Sequence, residues 1–230
     1  MTDLRDTHLL VVGATGGLGA ALSRRLVQEG ARLTLAGRNE DKLSALAREL
    51  GEAVVATVAA DLSVPDGPAA VAAAAVADGG LDGVVYAAGV VAFGPLGELD
   101  DDTFDELLLL NFVAPVRLLR SLLPQLNPGS VVVHLSAVVA ETPMKGMAAY
   151  SASKAALTGF GTAMAAELRR QKIRVLDVRP PHTQTGLHTR PISGTPPNLP
   201  EGLNPDAVAS RIVAAIADDE ASLPSSAFGA

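Results

Sequence analysis

The amino-acid sequence predicts an α/β protein with a single doubly wound parallel sheet and helices on both of its faces. Short apolar runs alternate with longer helical patterns along the 230 residues, and neither a repeat nor a linker divides the chain. Continuous apolar runs of this length are typical of strands that are buried on both faces of a parallel sheet. We therefore expect one domain over residues 1–230, with a flexible substrate loop at about 181–204.

The composition limits the classes of protein that are possible. Hydrophobic residues make up 48% of the chain, which is enough for one large core, and the net charge of -7 without a basic run argues against a nucleic-acid partner. Cysteine is absent, so disulfides and thiolate metal sites are excluded. No zinc-ligand spacing and no membrane-length apolar run are present, so we predict no metal, no membrane segment and a cytoplasmic location.

The first predicted unit is a strand, a glycine-rich turn and a helix. The strand covers residues 8–12, and the helix covers residues 20–29. Between them, Gly13 permits a tight turn, Gly17 lets the backbone approach a pyrophosphate, and Gly19 lets the helix pack on the strand. The free N–H groups of the helix N-terminus attract phosphate, so this unit predicts a dinucleotide site.

The second unit indicates which dinucleotide is bound. A strand at 32–36 leads to Arg38, where an acidic residue would bind ribose hydroxyls and an arginine accommodates a 2′-phosphate. This pattern favours NADP(H), with a solvated loop arginine as the alternative. A helix at 41–50 and a strand at 53–59 follow, and Asp61 comes next, either to hold the adenine amino group or to cap the following turn.

The middle of the chain predicts a small-residue turn and a long apolar helix. After a helix at 66–77 and a strand at 81–86, small side chains would let a cofactor ring lie close to the backbone. Thr103 is the expected N-cap of a helix that continues to Leu123 with apolar residues on nearly every side, so one side should face a second subunit. Pro115 should bend this helix and free the Asn111 carbonyl for a water.

The last third of the chain predicts a strand at 131–135, a helix from Tyr150 to about residue 170, a strand at 173–178, a helix at 206–217 and an edge strand at 223–228. Tyr150 and Lys154 are four residues apart, so they share one face of their helix. A free phenol titrates near ~10, and a nearby ammonium favours the phenolate and brings its pKa towards the working range. The alternative is a solvated pair on an amphipathic helix.

The chain thus carries an ordered set of candidate functional residues: Gly13, Gly17, Gly19, Asp61, Ala87, Ala88, Gly89, Asn111, Ser136, Tyr150, Lys154, Pro180 and Thr185. This combination resembles the short-chain dehydrogenase/reductase family over nearly the whole length. The resemblance implies a Rossmann fold with a nicotinamide dinucleotide cofactor, and four catalytic residues: Asn111, Ser136, Tyr150 and Lys154.

The resemblance also implies a role for each residue. Tyr150 would donate the proton to a carbonyl that is being reduced, while Lys154 would lower the pKa of Tyr150 and bind the nicotinamide ribose. Ser136 would hydrogen-bond the substrate oxygen. Asn111 would anchor a water of a proton relay through Lys154, and Thr185 would contact the carboxamide side of the nicotinamide.

The sequence departs from the family pattern at three places. Tyr86 and Ala87 stand where asparagines are frequent, so a side-chain hydrogen bond is lost there. Pro181 replaces a glycine, which stiffens the turn and removes a backbone donor. Val12 replaces a threonine, so a hydroxyl that would fix the glycine turn is missing.

We therefore predict a reversible hydride transfer between NADP(H), with NAD(H) as the alternative, and a small-molecule ketone or secondary alcohol. The expected cofactor residues are Gly13, Thr15, Gly16, Gly17, Leu18, Gly19, Arg38, Asp61, Leu62, Ala87, Ala88, Gly89, Asn111, Tyr150, Lys154, Pro180, Thr183 and Thr185. The expected substrate residues are Val91, Phe93, Ser136, Val138, Met144, Tyr150 and His182. A homodimer or homotetramer is expected. The alternatives are a catalytically silent dinucleotide-binding regulator, and an epimerase or dehydratase that retains its cofactor.

Overall fold

The computed structural model describes residues 2–229, and these form a seven-stranded sheet in which every paired neighbour is parallel. The strand order is β3-β2-β1-β4-β5-β6-β7. The strands are β1 His8–Val12, β2 Arg32–Gly37, β3 Val54–Ala59, β4 Leu81–Tyr86, β5 Leu126–Leu135, β6 Arg174–Val178 and β7 Ser222–Leu223. The order reverses between β1 and β4, which is where open α/β sheets of this kind form their ligand crevice.

Seven α-helices cover the two faces of this sheet in the described chain. They are α1 Gly17–Gln28, α2 Glu40–Leu50, α3 Gly67–Ala75, α4 Asp101–Leu108, α5 Ala114–Leu122, α6 Ala148–Leu168 and α7 Pro205–Ala217. Buried side chains of α1, α2 and α7 form one hydrophobic cluster, and those of α3, α4, α5 and α6 form the other. The predicted doubly wound α/β fold is confirmed, since burial on both faces requires the apolar strands seen in the sequence.

Several predicted element ends differ from the structure: α1 begins at Gly17 instead of residue 20, and β5 begins at Leu126 instead of residue 131. Two further differences concern α4 and β7. Asp100 caps α4, because its Oδ1 accepts the Thr103 N–H at 2.7 Å, so Thr103 lies inside the first turn instead of preceding it. An aspartate is as good a cap as threonine, and the sequence offers both. The expected strand at 223–228 shrinks to β7, and a 3-10 turn over Ser225–Phe228 follows it.

Pro115 produces a π-helical segment, Leu109–Val113, between α4 and α5. In this segment the Ala114 N–H donates to the Leu109 carbonyl, five residues back. In this register, residue 115 would donate its N–H to the Leu110 carbonyl, but a proline has no N–H. The Leu110 carbonyl therefore lacks a backbone donor, whereas the sequence analysis expected this at Asn111. The buried Tyr86 hydroxyl donates to the Leu110 carbonyl at 3.1 Å instead. The tyrosine therefore replaces the donor that the proline removed.

The stretch Asp101–Gln125 is long and apolar enough to cross a membrane, although by length and composition only. Core helices pass the same test, and Leu107, Leu118 and Leu122 on this stretch are fully buried within the hydrophobic cluster of its sheet face. Packing against the sheet thus explains part of the apolar surface of this stretch, from which burial on both sides was predicted. Phe104, at 38% exposure, points away from it.

Candidate active site

A cleft of about 590 Å³ opens at the carboxyl ends of β1, β2, β4, β5 and β6. Its lining includes the glycine turn after β1, the loop after β4, the N-terminal part of α6 and the long loop after β6. The cleft therefore lies at the reversal of strand order, where the sequence-based argument expected the ligand. Of the eighteen predicted cofactor residues, only Asp61 and Asn111 are outside its lining.

The glycine turn is packed so tightly that larger side chains do not fit. Gly13 has φ +77°, and a Cβ there would lie 2.7 Å from the Ala88 nitrogen. A Cβ on Gly19 would lie 2.1 Å from the Gly13 carbonyl oxygen. Gly16 stands at the N-cap of α1 and supplies no capping side chain, and the first turn carries no acidic residue. The N-terminus of a twelve-residue helix thus opens into the cleft with free N–H donors, which suits a phosphate.

The space beside Gly17 is occupied by Thr185, from the loop after β6. A Cβ there would lie 2.7 Å from both the Cα and the carbonyl oxygen of Thr185. The missing side chain therefore makes room for the loop after β6, while the backbone approach to a pyrophosphate stays a prediction. Sequence spacing cannot reveal this contact, because the two residues are far apart along the chain.

One end of the cleft carries two basic side chains near β2. Arg38, in the turn after β2, lines the cleft as predicted, and Lys42, in the first turn of α2, lines it as well. The sequence offered no specific signal for Lys42 beyond its closeness to Arg38. Thr15 lies beside the end of β2, where a Cβ on Gly37 would be 3.2 Å from its Oγ1.

Asp61 does not line the cleft, so its predicted contact with the adenine is not supported. Its Oδ1 accepts hydrogen bonds from the Ser63 N–H at 2.8 Å and the Ser63 hydroxyl at 2.7 Å. These bonds lower the pKa of the Asp61 carboxyl. The residue caps the following turn, which was the alternative reading, while Leu62 beside it does line the cleft.

Tyr150 presents its hydroxyl to the cleft. The residue is 7% exposed and lies in the first turn of α6. No hydrogen bond joins its hydroxyl to another described residue. Burial raises the pKa of the phenol. A protonated phenol that has no protein partner is free to donate its proton to a ligand in the cleft.

Lys154 lies below Tyr150 and is 5% exposed. Its Nζ donates to the Leu135 carbonyl at 3.0 Å and lies 5.9 Å from the centre of the Tyr150 ring. Burial lowers the pKa of Lys154 to about 8, and the charge of Asp177 opposes this shift. Burial is the cause of the raised Tyr150 pKa in this ligand-free arrangement, and the lowering of that pKa by Lys154 stays a prediction.

Ser136 lines the cleft, but its hydroxyl is directed into the protein. The Oγ lies 2.6 Å from Asp177 Oδ1 and 3.1 Å from the Val178 carbonyl oxygen, and a hydroxyl proton donates to such acceptors. Asp177 is ionised, since its hydrogen bonds to His134 and Ser136 lower its pKa against the effect of burial. For Ser136 to donate to a substrate oxygen, its hydroxyl must leave these two acceptors, so that role stays a prediction. The next residue in the cleft wall is Ala137, which has no hydroxyl.

The sequence analysis missed the polar group behind Ser136. His134 and Asp177 are register partners on β5 and β6, and His134 Nε2 lies 3.1 Å from Asp177 Oδ1. Arg179 forms ion pairs with Asp177 and Glu141, and Glu141 also accepts from the Ser225 N–H. His134 is fully buried. The available signal for this group was Asp177, an acidic residue in the second half of a strand between apolar neighbours.

Asn111 acts as a clamp and not as part of the open site. Its Oδ1 accepts the Val90 N–H at 3.0 Å, and its Nδ2 donates to the Val90 carbonyl and to Ser153 Oγ, each at 3.0 Å. The side-chain amide is thus fully used between the loop after β4 and helix α6. A Cβ on Gly89 would lie 2.8 Å from Asn111 Oδ1, so this clamp requires glycine there.

The remaining wall of the cleft is mostly apolar. Its predicted members Val91, Phe93, Val138, Met144 and His182 all line it, together with Met147, Leu187, His188, Ile192 and Leu199. The rings of His182 and His188 meet edge to face with centres 4.7 Å apart, and burial, then the charge of His188, lowers the pKa of His182.

The turn after β6 holds this wall in place. The Pro180 carbonyl accepts the Val138 N–H at 3.0 Å, and the Pro181 carbonyl accepts the Thr183 hydroxyl at 2.9 Å. The turn therefore uses the carbonyl acceptors of both prolines.

The chain is similar to known proteins over most of its length. Residues 7–193 match the sequence model described as short chain dehydrogenase. Nodulation protein G of Rhizobium sp. (strain N33) is 34% identical over 190 residues, which is 81% of this chain and 77% of that protein. Dehydrogenase/reductase SDR family member 4 of Pongo abelii is 33% identical over 178 residues, which is 75% of this chain but only 64% of that relative's length. A short-chain dehydrogenase from Sphingobium yanoikuyae, solved with NADPH, has a TM-score of 0.86 at 26% identity and covers 95% of this chain and 87% of that one.

Proposed function

The chain belongs to the short-chain dehydrogenase/reductase family of NAD(P)-dependent oxidoreductases, and from this premise we propose that it is an NADP(H)-dependent enzyme acting on ketones and secondary alcohols. The observation that carries the proposal is the Tyr150 hydroxyl, which faces the cleft without a protein partner above the buried Lys154. Such a hydroxyl is suited to proton exchange with a ligand.

The cleft fits a nicotinamide dinucleotide. The uncapped N-terminus of α1 suits the phosphates, and the small residues Ala87, Ala88 and Gly89 leave room beside Gly13. When bound, the nicotinamide supplies or accepts the hydride. Arg38 and Lys42 support a preference for NADP(H), because two cations at the end of β2 suit a 2′-phosphate. Similar proteins were solved with NADPH and with NAD, so the comparisons support a nicotinamide dinucleotide in general and the preference rests on these two cations.

Tyr150 would hold the proton that is exchanged with the substrate oxygen. Burial raises the pKa of this phenol, so it is protonated at neutral pH and can act as the acid in carbonyl reduction. Lys154 carries a positive charge below about pH 8 and is fixed by the Leu135 carbonyl. An ammonium held there stabilises the phenolate that remains after the proton has left.

The walls of the cleft support an apolar substrate. Val91, Phe93, Val138 and Met147 present hydrocarbon to the space in front of Tyr150, and Met144 lies at the rim with 42% exposure. Burial of apolar surface against such walls favours an aliphatic or cyclic carbonyl compound. A homodimer or homotetramer and a cytoplasmic location remain part of the same proposal.

Replacing Tyr150 with phenylalanine tests the proposal. Tyr150→Phe should lose carbonyl reduction, measured by nicotinamide absorbance over a panel of ketones, by at least about a hundredfold, the usual contribution of a positioned acid. NADPH binding, measured by fluorescence of the nicotinamide, should persist because the variant loses only one oxygen. Equal turnover by the two proteins would remove Tyr150 from the mechanism, and no binding of NADPH by either would refute the cofactor.

A further inference from the structure

Residues 185–193 form a strap that crosses the cleft. At one end, Thr185 lies against Gly17, where an added Cβ would be 2.7 Å from the Thr185 Cα. At the other end, the Ile192 N–H donates to the Val91 carbonyl at 2.9 Å, and the Phe93 N–H donates to the Ser193 carbonyl at 3.0 Å. The strap therefore connects the N-terminus of α1 with the loop after β4.

Arg190 lies on this strap, and its side chain folds back onto Gly186. Its Nε donates to the Gly186 carbonyl at 3.1 Å, and a Cβ built on Gly186 would lie 3.9 Å from its Nη2. Gly186 directly follows Thr185, the residue that touches Gly17. The guanidinium lines the cleft and forms no ion pair with any described residue. Its remaining N–H donors are therefore available to a ligand.

The charges around the cleft indicate that this ligand is an anion. Among the described residues that line the cleft, four are basic: Arg38, Lys42, Lys154 and Arg190. Glu106 is the one acidic residue in the same described lining. This excess of positive charge occurs in a chain whose net charge is -7. The N-terminus of α1 adds the positive end of a helix dipole on the same side. Arg38 and Lys42 lie by β2, and Lys154 donates to Leu135, which leaves Arg190 for an anion beside the glycine turn.

We propose that Arg190 binds the pyrophosphate of the dinucleotide from the strap, opposite the N-terminus of α1, and so holds the strap against the cofactor. The inference rests on the proposed binding of NADP(H). A planar guanidinium suits paired phosphate oxygens better than a lysine does, since it donates two parallel hydrogen bonds. A carboxylate on the substrate is the other anion that could reach the same guanidinium, and the experiment separates the two.

Arg190→Gln, which removes the charge and keeps most of the length, tests this role by equilibrium binding followed by nicotinamide fluorescence. The dissociation constants of NADPH and NADH should both rise by about tenfold or more, since both contain the pyrophosphate. The affinity for adenosine 2′-monophosphate, measured by calorimetry, should not change because this probe lacks a pyrophosphate. Arg38→Asp should show the opposite pattern, with weaker NADPH, weaker adenosine 2′-monophosphate and little change for NADH.

Arg48→Gln is a matched control. Arg48 is also exposed, and its Nε also donates to the carbonyl of the fourth preceding residue, Ser44, but it lies outside the cleft. Arg48→Gln should bind both dinucleotides like the unaltered protein.

Unchanged dissociation constants in Arg190→Gln overturn the proposal. Weaker binding of NADPH alone also overturns it, because that result would assign Arg190 to the 2′-phosphate. Unchanged cofactor binding with a higher KM would assign it to the substrate. If the unaltered protein binds neither dinucleotide, the proposed function fails as well.

Discussion

At the scale of single residues, two of the polar catalytic candidates are hydrogen-bonded to other parts of the protein in the absence of a ligand. Ser136 is held by Asp177, and Asn111 is held by Val90 and Ser153. Only Tyr150 keeps a free hydroxyl at the cleft among the three catalytic candidates with hydroxyl or amide groups. A buried donor without a partner is costly, so a group left free at a cleft marks where a ligand completes the hydrogen bonding.

Lys154 is the residue whose titration should be visible in the stability of the protein. Burial lowers its pKa in the folded state to about 8 from the ordinary value of 10.5. Between these values the unfolded chain binds the proton and the folded chain does not. The free energy of unfolding should therefore rise with pH across this window through Lys154, whereas below it the buried charge destabilises the fold.

Lys154→Met removes this contribution, and urea unfolding of both proteins in a pH series from about 8 to about 10.5 measures it. The difference in unfolding free energy, unaltered protein minus variant, should increase with pH. An unfolded phenol titrates near ~10, so the ionisation of Tyr150 affects stability only at the upper end of this series, and both proteins contain Tyr150. A constant difference across the series would show that Lys154 keeps an ordinary pKa.

At the scale of secondary-structure elements, a side chain from the sheet donates a hydrogen bond that the backbone lacks between α4 and α5. The π-helical register at Leu109–Val113 moves the effect of Pro115 from the Asn111 carbonyl to the Leu110 carbonyl. Tyr86, at the end of β4, donates to that carbonyl from the sheet. The same residue that departs from the family pattern in the sequence thus satisfies a buried acceptor that the proline leaves open.

Tyr86→Phe should destabilise the fold by about 1–3 kcal/mol, because it leaves the buried Leu110 carbonyl without a donor. Pro115→Ala supplies a backbone N–H that can donate to this carbonyl in the π register. The cost of Tyr86→Phe should therefore fall in the Pro115→Ala background, and a double-mutant cycle of urea unfolding measures the coupling. The same cost in both backgrounds would contradict this account of the join.

At the scale of the whole molecule, the exposed apolar side chains of the long helical stretch suggest an assembly. Phe104 is 38% exposed on α4, and Phe112 packs edge to face on Phe160 of α6, with ring centres 6.1 Å apart and both residues only partly buried. Apolar side chains at the surface of neighbouring helices favour contact with a second copy of the chain. This is the support for the proposed homodimer or homotetramer.

Phe104→Lys should convert the assembly to a smaller species, because a lysine in an apolar contact loses its hydration. Sedimentation velocity of the unaltered protein and the variant measures the change. Val64→Lys is the control, since Val64 is also exposed, at 48%, but lies in the turn before α3. An unaltered mass in Phe104→Lys would exclude this helical face from the interface.

The sequence by itself determined the doubly wound fold, the glycine turn and the tyrosine–lysine pair on one helix. These rest on local spacing, because periodicity and turn chemistry act over a few neighbouring residues. Residues 7–193 also match the predicted family. The predicted cap at Thr103 was wrong by local competition, since Asp100 offers an equal acceptor three residues earlier.

Only the tertiary structure decided which polar groups remain free at the cleft. Ser136 meets Asp177 across 41 residues of sequence, and Asn111 meets Ser153 across 42. Thr185 likewise fills the space at Gly17, and the strap brings Arg190 beside it. Such partners come from different strands, helices and loops, whose positions depend on how the whole sheet packs. Desolvation likewise depends on the finished core, so the spacing of Tyr150 and Lys154 could not reveal that burial raises the Tyr150 pKa.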